Sequence, residues 1–222
     1  IMSIEILGIC GSPIQGGNME AFLSEALRAA EGMGRVHATL LSLAGREIKD
    51  CTHCNWCVRK QKDGKFCAQQ DGMTDIYPLL VKADALLLAS PVYIGRISGY
   101  LACFLDRLRA FAHGNVYKGK LKDKVGGALA VSWFRNRGPE MTLLTIVSTY
   151  LTFGMIPVGP TEGLGSPFGA VGLVTDGGTG EFDPEDRLGV LSDEYGVAGA
   201  RVLGKRVAGI ALRLQGVSKT SG

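Results

Sequence analysis

Apolar residues gather along this chain in short, mostly continuous runs, at Glu5 to Cys10, Val36 to Leu43, Ala85 to Ala89, Val125 to Val131 and Ile156 to Val158. Runs of that length without polar alternation read as strands buried on both faces of a sheet. Between them the apolar positions recur at helical spacing. Met19 to Met33 sets Phe22, Ala26 and Ala30 on one side, and Gly99 to Ala112 does the same with Leu101, Leu105 and Leu108. Ile76 to Ala83, Glu140 to Phe153 and Tyr195 to Leu214 complete the series. Ser98 is placed to cap the third helix, Pro139 to open the fourth at its first turn, and Gly154 to close it. Strand and helix in alternation predict an α/β fold with a doubly wound, five-stranded parallel sheet and a cysteine-rich loop after the second strand. A single domain over 1–222 is expected, since no low-complexity stretch or charge run divides the chain. The stretch from Gly159 to Leu191, rich in Gly, Pro and Asp, has no period and predicts an irregular excursion.

Composition narrows the function classes. The 222 residues are 46% hydrophobic and 20% charged with 32 glycines, the make-up of a fold with many tight turns. A net charge of +3, with no dense Lys/Arg stripe, argues against nucleic acid. The first apolar run has no basic leader before it and breaks at Gly11-Ser12-Pro13, unlike a signal peptide. The run from Ala85 to Ala89 falls far short of the roughly 20 residues of a membrane helix, so a cytoplasmic protein is expected. Of six cysteines, four lie between positions 51 and 67, which favours a metal or cluster over disulfides.

In such a sheet the ligand lies at the carboxyl ends of the strands, here the loops 11–18, 90–97 and 132–139. Gly11 to Asn18 joins a strand to a helix, so its amides can face an anion, with Ser12 and Asn18 adding side-chain hydrogen bonds. It lacks both the Lys-Ser/Thr ending of a triphosphate loop and the Gly-x-Gly-x-x-Gly pattern of dinucleotide sites. A phosphate monoester such as that of FMN fits it. A glycine-rich turn with Asn18 as a simple helix cap is the other reading. In the second loop Tyr93 offers a flat surface to a ring, or packs at the surface of a turn shaped by Pro91 and Gly95. In the third, Trp133 and Phe134 are ring contacts or ordinary packing.

Cys51, Cys54 and Cys57 are separated by two residues each, so three thiolates can wrap one face of an iron–sulfur cluster while Cys67 closes it. A four-cysteine zinc site, a redox disulfide and a cluster-free protein remain as alternatives. His53 within the turn is expected to face solvent, and Cys10 and Cys103 to be small buried hydrophobes.

Gly11-Ser12-Pro13, Gly17 and Asn18, the segment Ser90-Pro91-Val92-Tyr93-Ile94-Gly95 with its helix ending in Asp106-Arg107, and the third loop from Ser132 to Glu140 resemble the flavodoxin-like NADPH-dependent FMN reductases. With the cysteine run, the resemblance is to their iron–sulfur flavoprotein branch. Ile14 and Met19 depart from that pattern, which has arginine and threonine there. The resemblance implies a flavodoxin-like fold and FMN held by Ser12, Pro13, Gly17, Asn18 and Met19, by Pro91, Val92, Tyr93, Ile94 and Gly95, and by Ser132, Trp133, Arg135 and Gly138. Arg135 or Arg137 would face the reduced flavin. It also implies a [4Fe-4S] cluster on Cys51, Cys54, Cys57 and Cys67, although the spacer Val58 to Phe66 is long and is expected to bulge out as a loop. The activity implied is electron transfer between flavin, cluster and a carrier such as ferredoxin or NAD(P)H, in a homodimer or homotetramer. No acid–base triad is visible, and His37 and His113 have no catalytic partner. A cluster-free NAD(P)H-dependent FMN or quinone reductase and a non-enzymatic, zinc-stabilised protein are the rival readings.

Overall fold

A computed structural model describes residues 3–217 except Glu162, Phe182, Pro184 and the side chain of Val217. In chain order its elements are β1 (Ile4–Cys10), α1 (Asn18–Glu31), β2 (Val36–Ser42), α2 (Trp56–Lys60), α3 (Ile76–Lys82), β3 (Ala85–Pro91), α4 (Gly99–Arg107), α5 (Arg109–Ala112), β4 (Val125–Ser132), α6 (Pro139–Thr152), β5 (Ile156–Val158), β6 (Ala170–Leu173) and α7 (Glu194–Val217). The strands pair in parallel in the order β2-β1-β3-β4-β5, with β6 also on β4. The crossovers put α1 and α7 on one face and α3, α4 and α6 on the other, each over its own apolar core.

The helix ends follow the local chemistry expected of them. Ser98 Oγ accepts from the Leu101 amide, Pro139 stands at the first turn of α6, and Gly154 takes the left-handed conformation that ends it.

Four expectations are corrected. Strand β2 alternates exposure instead of being buried on both faces, because it is an edge strand. The helix expected over Gly99 to Ala112 breaks at Leu108, where tighter bonds from Leu108 to Leu105 and from Phe111 to Leu108 separate α4 from α5. The stretch from Gly159 to Leu191 is not wholly irregular. Its residues Ala170 to Leu173 form β6, which takes up the edge of β4 at Leu129–Ser132 just beyond the three pairs made by β5. The flanking glycines conceal this strand in the sequence, yet they allow it: a side chain at Gly169 would meet the Ala128 carbonyl at 2.2 Å. Finally, Cys103 is half-buried on α4, whereas Cys10 is fully buried as expected.

Within the sheet, the Tyr150 hydroxyl reaches between β3 and β4, accepting from the Leu88 amide at 3.0 Å and donating to the Gly127 carbonyl at 2.8 Å. Its ring lies flat over Gly126, where any Cβ would meet it at 2.7 Å. Tyr150→Phe takes the hydroxyl away from both backbone groups in the core and is expected to lower stability by about 1–3 kcal/mol, read from urea unfolding. An unchanged midpoint would show that the strands close over the gap.

Candidate functional site

The carboxyl ends of β1, β3 and β4 lie side by side, and the three loops leaving them line a cleft of about 890 Å3. Two buried serines hold the first two loops together. Ser98 Oγ donates to the Gly11 carbonyl, and its amide donates to Ser90 Oγ at 2.9 Å. The fit leaves no room at Gly11, where a Cβ would meet that of Leu101 at 2.7 Å.

Ser12, Gly17, Asn18 and Met19, Pro91 to Gly95, and Ser132 and Trp133 all line this cleft. Pro13, Arg135 and Gly138 do not. Arg135 is turned away, donating from its amide and Nε to the carbonyls of Gly178 and Gly177 at 3.1 Å each. Arg137 lines the cleft in its place, with its guanidinium 4.3 Å over the Phe134 ring. Gly138, at φ +102°, backs the second loop so closely that a Cβ would lie 2.5 Å from Gly95 Cα.

Asn18 does not cap α1; Gly17 is the capping residue and uses no side chain. Instead the Asn18 amide group donates to the Arg187 carbonyl at 3.3 Å and accepts from the Val190 amide at 3.0 Å. This pins the segment around Arg187 against the first loop, so Val174, Asp186 and Arg187 join the cleft wall. No signal in the sequence points to these three, because the contact spans some 170 positions. Glu20, one turn into α1, accepts from the Gly16 amide at 2.7 Å, so a carboxylate already engages one donor of the loop.

The cysteine segment leaves β2 and returns to α3, and one clamp holds its two ends together. Arg107, at the end of α4, forms a two-pronged ion pair with Asp71 and donates to the Lys49 carbonyl at 2.8 Å. Asp71 in turn accepts from the Lys49 and Met73 amides at 3.1 Å each. Both side chains are almost wholly buried, at 1% and 4% exposure. Burial would raise the Asp71 carboxyl, but the Arg107 hydrogen bonds and the two amides outweigh it and hold it below the ordinary carboxylate range.

The spacer Val58 to Phe66 is anchored at both ends and does not bulge freely. It begins in α2, and buried Gln61 donates to the Phe66 and Ala110 carbonyls while accepting from the Val116 and Tyr117 amides. Phe66 stacks between Tyr77 and Tyr117, with centroids 5.0 and 3.9 Å away. Only the tip from Lys62 to Lys65 stands out, as a tight turn through Gly64. Cys67 is thereby set beside Tyr77 and Arg107. Cys57 lies near Arg109, Cys67 and Cys51; burial pushes its thiol up, while Arg109 pulls it down. Cys54 and His53 are exposed on the turn between them, where His53 and Asn55 both adopt left-handed backbone angles. Among the described residues, no three His, Cys, Asp or Glu side chains converge on one point as ligands of a single metal ion would.

A doubly wound sheet with a cleft at its strand ends defines the flavodoxin-like class of α/β proteins. An NAD(P)H:quinone oxidoreductase from Methanothermobacter marburgensis shares this fold at a TM-score of 0.63 and 12% identity, covering 92% of this chain and 97% of that one. The family profile described as NADPH-dependent FMN reductase matches residues 4–165. An iron-sulfur flavoprotein of Methanocaldococcus jannaschii is 35% identical over 205 residues, 92% of this chain and 96% of that protein. One from Archaeoglobus fulgidus is 34% identical over 215 residues, 96% of this chain and 100% of the other. The chain belongs to the NADPH-dependent FMN reductase family, in its iron–sulfur flavoprotein branch. It is an oxidoreductase and a flavin redox protein, and the non-enzymatic reading is overturned. Among the described residues no helix is long and apolar enough to cross a membrane.

Because its carboxyl is depressed, Asp71 stabilises the fold above the ordinary carboxylate pKa, and this contribution is lost as pH falls through its lowered value. Asp71→Asn is expected to cost about 3 kcal/mol at pH 7, by leaving the Arg107 charge buried without its counter-ion. In urea unfolding the gap between variant and native chain should narrow below about pH 4. An equal gap at pH 3 and pH 7 would contradict this.

Proposed function

We propose that this flavin redox protein holds FMN in the strand-end cleft and passes electrons between it, a [4Fe-4S] cluster on Cys51, Cys54, Cys57 and Cys67, and an acidic carrier such as ferredoxin. FMN takes electrons in pairs and releases them singly, while a cluster carries one at a time; that chemistry belongs to the cofactors. The chain positions them. The first loop offers backbone amides and Ser12 to the FMN phosphate, and Arg187 supplies a cation that Ile14 does not. Tyr93 and Trp133, both largely exposed along the cleft, offer flat faces to the ring.

One observation carries the cluster reading. Arg107 and Arg109 each leave a buried Nε–H without an acceptor, and each interacts electrostatically with a thiol of the segment, Arg107 with Cys67 and Arg109 with Cys57. That is an arrangement suited to an anionic group held by thiolates.

Arg59, Lys60, Lys62 and Lys65 are exposed on α2 and the turn after it, flanking the cysteine segment, with Lys65 5.3 Å over the Trp56 ring. This basic face suits an acidic electron carrier. Assembly as a homodimer or homotetramer is part of the same reading, with Met141 and Leu151 exposed on α6 as an apolar face for it. A single domain over 1–222, working in the cytoplasm, is part of the same proposal.

The second reading is a cluster-free NAD(P)H-dependent FMN or quinone reductase, which the family description favours. Anaerobically purified protein is expected to contain one FMN per chain with iron and acid-labile sulfide in equal amounts. Cys54→Ala should lose the broad cluster absorbance and keep the flavin bands. Flavin without iron or sulfide would leave the cluster-free reductase as the reading. Electron transfer to ferredoxin should slow as salt rises through the range where the Debye length falls from about 30 to 10 Å. A rate indifferent to ionic strength would exclude the basic face as the docking site.

A further inference from the structure

Arg107 commits both terminal nitrogens to Asp71 and Lys49, yet its buried Nε–H has no partner. Arg109 donates from Nη2 to Asn55 Oδ1 at 2.7 Å, and its Nε–H is likewise buried without a partner. Among the described side chains only Glu20 and Thr142 hold other buried polar atoms in this state. Leaving one such donor unsatisfied in the interior is costly. Two of them, two residues apart at the junction of α4 and α5 and each near a different thiol of the same segment, point to acceptors that the polypeptide does not supply.

We propose that Arg107 and Arg109 are positioning residues whose Nε–H groups donate to the anionic group held by Cys57 and Cys67, and whose charges set its reduction potential. The assignment deepens the iron–sulfur reading and rests on it. The roles divide by geometry. Arg107 is locked by Asp71 and closes the segment at Lys49, whereas Arg109 grips the turn through Asn55, just ahead of α2 and Cys57. A fixed cation beside a group that becomes more negative on reduction favours the reduced form, so both arginines raise the potential.

Arg109 is the position to test, because replacing Arg107 also breaks the buried pair with Asp71. Wild type, Arg109→Gln and Arg109→Lys are purified anaerobically, their iron, sulfide and FMN counted, and the cluster midpoint measured by redox titration with EPR detection. R109Q is expected to retain iron and to disfavour the reduced cluster about tenfold, a shift of about 59 mV downward for one electron. R109K, which restores the charge, should recover more than half of that shift, and the flavin midpoint should stay where it is in the wild type.

Arg107→Lys keeps a cation opposite Asp71 but removes the Nε–H, and should move the cluster midpoint in the same direction as R109Q. An R109Q midpoint equal to wild type overturns the assignment, as does complete loss of iron from R109Q and R109K alike. If R109Q loses only part of its iron, the remaining clusters still report the midpoint and decide in the same way. Wild-type protein with flavin but no iron or sulfide removes the underlying reading, whereas iron-loaded protein with an unmoved midpoint removes this assignment alone.

Discussion

The buried pair between Arg107 and Asp71 joins two parts of the chain that local structure would leave independent. Desolvating both charges is costly, and the cost is met by geometry: two guanidinium contacts to the carboxylate, the Lys49 carbonyl on Arg107, and the Lys49 and Met73 amides on Asp71. The outcome is that residues 49 and 71, the two ends of the cysteine segment, are held against the end of α4. The segment between them, with all four clustered thiols, is closed at that point and tied again along its length by Gln61 and Arg109.

Helix α4 gives the clamp its functional meaning. It begins at Ser98, which binds the Gly11 carbonyl and is itself bound by Ser90, and it ends at Arg107. A helix of 9 residues is roughly 13 Å long, so one rigid rod runs from the strand-end cleft to the cysteine segment. Its inner face, with Leu101 and Phe104 wholly buried, leaves it little freedom to slide against the sheet. The separation between the two sites is therefore set by core packing and not by the loops that line them.

The cleft depends on a second long-range contact. Asn18 holds the Arg187–Val190 segment against the first loop, and β6 anchors the same excursion on β4. A chain stretch with no period of its own thus becomes a wall of the cleft. It brings a cation to the end where Ile14 offers none.

The alternation of apolar runs and helical spacing was enough to determine the doubly wound parallel sheet, the caps at Ser98, Pro139 and Gly154, and the three loops that meet at the cleft. These are local signals: strand burial and helix periodicity follow from neighbouring residues. The cysteine spacing likewise marked the segment itself. What the sequence could not show was set by pairings across tens of residues. The spacer looks like a bulging loop in the sequence because nothing near Val58 or Phe66 reveals that Gln61 will be met by Ala110 and Tyr117. Arg135 and Arg137 were indistinguishable until the carbonyls of Gly177 and Gly178 drew one of them away. Arg107 looked like a helix end, and only the folded chain placed it between Asp71 and Cys67. Burial and partner choice are properties of the packed core, and no short window of residues contains them.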